Sequence, residues 1–221
     1  MKAKNVNIIL TVVILGGIAT AIYLVTKNKN KPEDKKEPKK NEDNKKVSSI
    51  LFVGDSNTFA NFSYADQLKK LYPNLKIKKI AMNGANSDWA RTQLERELQN
   101  NKYDIISILI GSNDIYGGKS IASTKGNLDA MYNLAHNKGS KVLAITPPSK
   151  DFYLERTNAK QNMLSDLINW MKSNKNIDDF INFKAMTPSI TFFSSGDEYL
   201  HPQAQAHKLL AGRVQQDLQI A

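Results

Sequence analysis

One short stretch decides the fold class, Ile50-Leu51-Phe52-Val53-Gly54-Asp55-Ser56-Asn57. Its four consecutive apolar residues are typical of a strand that is buried on both faces, as in a parallel sheet. The glycine and the three polar residues that follow favour a turn, so the strand is expected to end there. The stretch therefore predicts an α/β domain that presents polar side chains at the carboxyl end of its first strand.

Beyond residue 47, short β-branched runs alternate with helical stretches, which predicts a three-layer α/β/α domain with a mainly parallel five-stranded sheet. The predicted strands are Ser49–Val53, Lys76–Ala81, Asp104–Ile110, Lys141–Thr146 and Asp179–Asn182. The predicted helices are Tyr64–Leu71, Asp88–Leu98, Ile121–Asn137, Asn158–Met171 and Gln203–Gln219. In the last of them the apolar positions at helical spacing are Leu209, Leu210, Val214 and Leu218.

The first 46 residues differ in character from the rest of the chain. Residues 8–25 form an uncharged apolar run between lysines, and residues 1–25 are therefore predicted to be a single transmembrane anchor, with a cleaved signal peptide as the alternative. Residues 26–46 are nearly all Lys, Asn, Glu, Asp and Pro, which predicts a flexible linker to a folded domain at 47–221. The nine lysines between Lys27 and Lys46 favour a cytoplasmic domain by the positive-inside rule.

Composition excludes several classes of function. The 221 residues contain no cysteine and three histidines, so thiolate chemistry, Cys-ligated metals and a His-rich metal site are not expected. The net charge is +10, but eleven lysines and five acids lie in residues 1–50, so most of the excess belongs to the N-terminal segment. The remaining basic residues show no interleaving with aromatic residues that stack bases, and nucleic-acid binding is not expected.

Three polar clusters follow predicted strands or precede the last helix: Gly54-Asp55-Ser56-Asn57, Gly111-Ser112-Asn113-Asp114 and Gly196-Asp197-Glu198-Tyr199-Leu200-His201. The first can present a serine, the second can aim an amide at a developing oxyanion, and the third places carboxylates a few residues before an imidazole. Each cluster taken alone is more typical of an ordinary turn or helix cap than of a catalytic site.

Together the three clusters resemble the signature of the SGNH hydrolases, also called GDSL esterases and lipases, over roughly residues 48–221. The resemblance implies a flavodoxin-like fold and makes 47–221 a catalytic domain that requires no metal or organic cofactor. It further implies that Ser56 is the nucleophile and His201 the general base. The oxyanion hole would be formed by the Ser56 N–H, a second backbone N–H and the Asn113 side chain.

Two site assignments stay open in the sequence. Glu198 occupies the family's register for the acid that orients His201, and Asp197, one residue earlier, is the alternative. Gly84 is assigned the second backbone N–H, although one alignment places Ser87 there. His207 is expected on the surface or behind the site, and it is the only nearby alternative base.

The resulting expectation is a membrane-tethered serine esterase whose domain lies outside the cytoplasm, in conflict with the lysine count. Its expected substrate is an acyl ester, with O-acetyl as the first choice, on cell-surface polysaccharide or peptidoglycan. The alternatives are a lysophospholipase or lipase, an acyltransferase that uses the same nucleophile, and a non-catalytic binding module.

Overall fold

The computed structural model describes residues 47–148, 158–197, 201–218 and 220. The predicted anchor at 1–25 and linker at 26–46 therefore lie outside the described residues. None of the helices within the described ranges is long and apolar enough to cross a membrane.

A five-stranded sheet forms the centre of the domain, and every described pair of neighbouring strands is parallel. The strands are β1 (Ser49–Gly54), β2 (Lys76–Ala81), β3 (Ile105–Leu109), β4 (Lys141–Ile145) and β5 (Asp179–Ile181). Their spatial order is β2-β1-β3-β4-β5, which is the flavodoxin-like order. The three-layer fold expected from the sequence is confirmed.

Helices cover both faces of this sheet. The described helices are α1 (Ser56–Phe59), α2 (Tyr64–Leu71), α3 (Ser87–Asn100), α4 (Ser112–Tyr116), α5 (Ile121–Asn137), α6 (Asn158–Ser173), α7 (Phe183–Met186) and α8 (Ala204–Asp217). Helices α3, α5 and α6 pack on one face of the sheet, and α2 and α8 pack on the other. The sheet is thus enclosed between two apolar layers.

The central strands are buried on both faces, as is typical of a parallel sheet. β3 is buried at every position, and β1 at all but its first residue, because helices cover both faces there. The outer strand β2 has no fully buried position, and Lys76 and Lys78 are exposed on this open edge, where charge discourages pairing with another chain.

The register aligns the carboxyl ends of three strands. Gly54 pairs with Ala81 on one side and with Leu109 on the other. The loops that follow β1, β2 and β3 therefore start side by side at one edge of the sheet, which is where a parallel sheet binds its ligands.

The last helix is turned differently from the sequence prediction. Leu210, Val214 and Leu218 are buried as expected, but Leu209 is 46% exposed and His207 occupies the buried face instead. Residues 207, 210 and 214 lie three and four positions apart and so share one side of the helix, whereas position 209 is rotated away from it.

Candidate active site

The turn after β1 depends on close packing at Gly54. A Cβ atom at this position would lie 2.1 Å from Thr58 Oγ1 and 2.8 Å from the Leu109 carbonyl oxygen, so only glycine fits. The buried Asp55 then caps α1, because its Oδ1 accepts hydrogen bonds from the Asn57 backbone N–H at 2.9 Å and from Asn57 Nδ2 at 2.7 Å. The cap places Ser56 at the first position of a one-turn helix.

Ser56 and His201 meet at this edge although 145 residues separate them. The distance between Ser56 Oγ and His201 Nε2 is 2.8 Å, and both residues are half-buried. The backbone of His201 is fixed as well, because its carbonyl oxygen accepts from the Ser194 N–H at 3.0 Å. A hydroxyl in hydrogen-bond contact with an imidazole is the arrangement that activates a serine nucleophile.

One of the two acids predicted to orient His201 lies within the described residues. Asp197 ends a 3₁₀ turn at Ser195–Asp197, and Glu198 lies outside the described residues. Orientation of His201 by Glu198 or Asp197 therefore stays a prediction.

The two other candidate oxyanion groups follow β2 and β3, the strands on either side of β1. Gly84 is exposed in the loop after β2, with φ of +73°, a conformation that side-chain-bearing residues rarely adopt. Asn113 lies in α4, and its Nδ2 donates to the Ala85 carbonyl oxygen at 2.8 Å. This hydrogen bond joins α4 to the loop after β2. Because an amide nitrogen carries two N–H groups, the Asn113 side chain retains a second donor.

A buried carboxylate ties these loops together. Asp114 Oδ2 accepts from the Ser87 backbone N–H at 2.9 Å, and Oδ1 accepts from the Ser87 hydroxyl at 2.5 Å. Lys119 Nζ lies 3.4 Å from Asp114 Oδ1 and also pairs with Asp88. Asp114 is 1% exposed, so it fixes the start of α3 against α4 from inside the protein. Ser87, the alternative to Gly84, has its N–H committed to this carboxylate.

Asp114→Ala is expected to lower the free energy of unfolding by about 2–3 kcal/mol, because it leaves the buried Ser87 donors unpaired. Urea unfolding measures the change. The matched control is Asp88→Ala, since the Asp88 side chain pairs with the same lysine but is 63% exposed, and its loss is expected to stay below about 1 kcal/mol. Equal losses in both variants would contradict a special role for the buried carboxylate.

A cleft of about 490 Å³ opens over Ser56 and His201 and is named here the Ser56 cleft. Its lining combines aromatic, small apolar and polar side chains, among them Phe59, Phe62, Asn83 and Gln203. Phe59 and Phe62 are 48% and 45% exposed, which is unusual for phenylalanine. These two residues are not among the predicted site residues, although two aromatic residues within six positions of the candidate nucleophile could have indicated a cleft wall.

His207 is buried and lines the same cleft, so of the two expected positions the one behind the site agrees with the structure and the one on the surface does not. Its ring lies 6.4 Å from the Tyr64 ring and nearly parallel to it, and 5.5 Å from the Phe62 ring. Burial in these surroundings lowers the pKa of His207 to about 4, with a further lowering by nearby His201 and an opposing effect of Asp66. A neutral imidazole at this position adds no charge beside His201 at neutral pH.

The buried imidazole predicts a pH-dependent stability. The unfolded chain binds a proton at His207 below about pH 6.5, whereas the folded protein resists it until about pH 4. The free energy of unfolding should therefore fall by about 3 kcal/mol as pH drops through this window, and this contribution should be complete at and above pH 7. Urea unfolding at pH 7 and pH 4 checks this, and His207→Gln should reduce the difference. An unchanged difference in the variant would assign the pH dependence to other groups.

Within the described residues, no group of three or more His, Cys, Asp or Glu side chains is arranged to hold a metal ion.

Comparison with known proteins gives a family match over most of the described domain. Residues 52–209 match the sequence model of the GDSL-like Lipase/Acylhydrolase family. No curated protein matches the chain. Among solved structures, the lipase/acylhydrolase from Enterococcus faecalis has a TM-score of 0.65 at 21% identity, over 78% of this chain and 95% of that one.

Two further solved structures have the same fold. TesA has a TM-score of 0.64 at 20% identity, covering 77% of this chain and 97% of its own. The psychrotrophic esterase EstA from Pseudoalteromonas sp. has a TM-score of 0.63 at 17% identity, covering 78% and 97%. At such identities these structures establish the shared fold, and the match to the family covers most of the described domain.

Proposed function

The chain belongs to the GDSL-like lipase/acylhydrolase family and is an ester hydrolase, and we propose that its substrate is an acyl ester, O-acetyl above all, on a cell-surface polysaccharide or peptidoglycan. The observation that carries the catalytic part of this proposal is the 2.8 Å contact between Ser56 Oγ and His201 Nε2 in the Ser56 cleft. We assign Ser56 as nucleophile and His201 as general base.

The proposed reaction has two halves. Ser56 Oγ attacks the ester carbonyl carbon while His201 Nε2 takes the hydroxyl proton, and the negative charge that develops on the carbonyl oxygen is met by the Ser56 N–H, the Gly84 N–H and the Asn113 amide. The carbon–oxygen bond to the alcohol then breaks, and the alcohol leaves with the proton from His201. A water molecule repeats the attack on the acylated Ser56, again through His201, and releases the carboxylic acid.

The lining of the Ser56 cleft supports a sugar as the alcohol part of the ester. Asn61, Asn83, Ser194 and Gln203 bring amide and hydroxyl groups to the cleft beside the reacting pair. Such groups can exchange hydrogen bonds with sugar hydroxyls, which an acyl chain cannot do.

The test is release of acetate from O-acetylated polysaccharide and O-acetylated peptidoglycan by the full chain, with Ser56→Ala as the control. Acetate release that depends on Ser56 supports the proposal. Release of fatty acid from a lysophospholipid, without acetate from either polymer, would overturn the proposed substrate and leave an ester hydrolase of lipids.

The lysophospholipid is the second candidate because Phe59 and Phe62 form an exposed apolar wall next to Ser56. Activity on p-nitrophenyl esters of increasing chain length separates the two candidates. A preference for acetyl supports the glycan ester, whereas a rise in kcat/KM up to long chains supports the lipid. Transfer of the acyl group to an added acceptor sugar faster than hydrolysis would identify an acyltransferase.

Attachment to a membrane through residues 1–25, with the catalytic domain outside the cytoplasm, is also part of the proposal. The uncharged apolar run at residues 8–25 supports the anchor, and the composition of residues 26–46 supports a flexible tether. The external position is proposed from the expected substrate alone, against the positive-inside count of nine lysines. Protease treatment of intact cells tests it, since an external domain is digested and an internal one is protected.

A further inference from the structure

A second cleft, of about 390 Å³, lies on the helical layer formed by α3, α5 and α6 and is named here the Trp170 cleft. Its lining residues come from α5, from the end of α6 and from the residue after it, and they are Lys125, Gly126, Asp129, Trp170, Ser173 and Asn174. Within the described part of the chain, it shares no lining residue with the Ser56 cleft. The reaction proposed for the Ser56 cleft therefore gives no role to the Trp170 cleft.

An aromatic ring borders this cleft and is supported from within the protein. The half-buried Trp170 ring lies nearly parallel to that of buried Tyr132, with an angle of 18° and centroids 6.2 Å apart. At Gly126, which is exposed on α5, an added Cβ would meet nothing within 4 Å. A side chain larger than glycine at this position would therefore extend into the open space of the cleft.

The polar groups around the indole are already held in place. The Asp129 carboxylate accepts from Asn174 Nδ2 at 3.1 Å and from Asn176 Nδ2 at 3.0 Å. Lys125 Nζ is paired with Asp166 Oδ2 at 2.8 Å. Groups fixed in this way lose little side-chain entropy when a ligand binds, so even a small ligand could be held.

The chemistry of the lining narrows the class of ligand. A phosphate or other anion is disfavoured because the lysine is paired and a carboxylate lies close to it. An acyl chain is disfavoured because Trp170 is the single large apolar side chain among the lining residues. A ligand with one apolar face and several hydroxyl groups fits both the indole and the polar side chains of the cleft.

We propose that the Trp170 cleft binds one pyranose unit of a glycan chain. The CH-bearing face of the sugar packs against the indole, and its hydroxyl groups exchange hydrogen bonds with Asp129, Asn174 and Lys125. This site would hold a polymeric substrate at a second point, and in that respect the inference rests on the proposed function. Binding itself does not require hydrolysis.

The test uses the full chain and a soluble tetramer of β-1,4-linked N-acetylglucosamine as the probe. The protein has two tryptophans, Trp89 and Trp170, so Trp89→Phe leaves Trp170 as the only indole reporter. We expect a saturable change in fluorescence with a dissociation constant on the order of 1 mM, as for a single small ligand. Glycerol, which has hydroxyl groups but no ring face, should give no saturable change.

Gly126→Leu is the decisive variant because it fills the cleft and leaves Trp170 in place. It should weaken binding of the tetramer at least tenfold. Gly212→Leu is the matched control: this glycine lies in α8, and an added Cβ there also meets nothing within 4 Å. Both changes replace a helical glycine with leucine, but the control should bind the tetramer as the parent protein does.

The outcomes separate this inference from the proposed function. Saturable binding that Gly126→Leu removes and Gly212→Leu retains supports the site, even if no acetate is released from any glycan. The absence of saturable binding at concentrations on the order of 10 mM, or an equal response in both leucine variants, overturns the site, even if acetate release is normal.

Discussion

Replacing Ser56 with alanine is expected to lower kcat for ester hydrolysis by about 10⁴-fold or more, and His201→Ala should have an effect of similar size. The two side chains are proposed to share one proton transfer across their 2.8 Å contact, so either loss would remove the same step. The double variant should therefore lose no more activity than the stronger single variant. Initial rates on p-nitrophenyl acetate measure all three.

Matched controls for this prediction exist on α5. Ser123→Ala and His136→Ala remove the same types of side chain at an exposed position and at a half-buried one, and neither residue lines the Ser56 cleft. Both should keep the parent rate. If the effects of Ser56→Ala and His201→Ala multiplied in the double variant, the two residues would not act as one unit.

Asn113→Ala is expected to lower kcat by about 10²- to 10³-fold, with a smaller change in KM. The amide is proposed to stabilise charge that forms only in the transition state, and it also holds the Ala85 loop through its 2.8 Å hydrogen bond. Steady-state kinetics on a short-chain ester measure both constants. Asn113→Asp should be no more active than the alanine variant, because it presents a negative charge to the developing oxyanion.

The control for this second prediction is Asn169→Ala, since Asn169 is exposed on α6. A rise in KM with unchanged kcat in Asn113→Ala would contradict the oxyanion role, because it would show that Asn113 contributes equally to substrate and transition-state binding. Urea unfolding of the same variants shows whether a lower rate results from loss of stability alone.

Much of the sheet could be predicted from the sequence because its strands are short apolar runs bounded by turn formers. The observed β1 (Ser49–Gly54) and β2 (Lys76–Ala81) differ from the predicted strands by at most one residue. Helices α1 and α4 were not predicted, because they have four and five residues and are too short to show a helical period. Their start residues are fixed by the Asp55 cap and the end of β3 rather than by apolar spacing.

The sequence predicts the reacting residues of the candidate site but not the cleft around them. Ser56 and His201 follow from the resemblance, and the structure brings the two side chains together. The Ser56 cleft was not predicted, because Phe59 and Phe62 follow a one-turn helix and have no period that marks them as a wall. The choice between a surface position and one behind the site stayed open for His207, because the apolar positions of the last helix were assigned with Leu209 among them and a histidine in a buried stripe carries no hydrophobic signal.

The contact between Ser56 and His201 also has a consequence for protein synthesis. Ser56, the proposed nucleophile, is among the first residues of the domain to leave the ribosome, whereas His201, the proposed base, comes just before the last described helix. A nascent chain therefore cannot cleave an ester until its last segment has emerged and docked on the sheet. Onset of esterase activity during translation would thus mark the completion of folding.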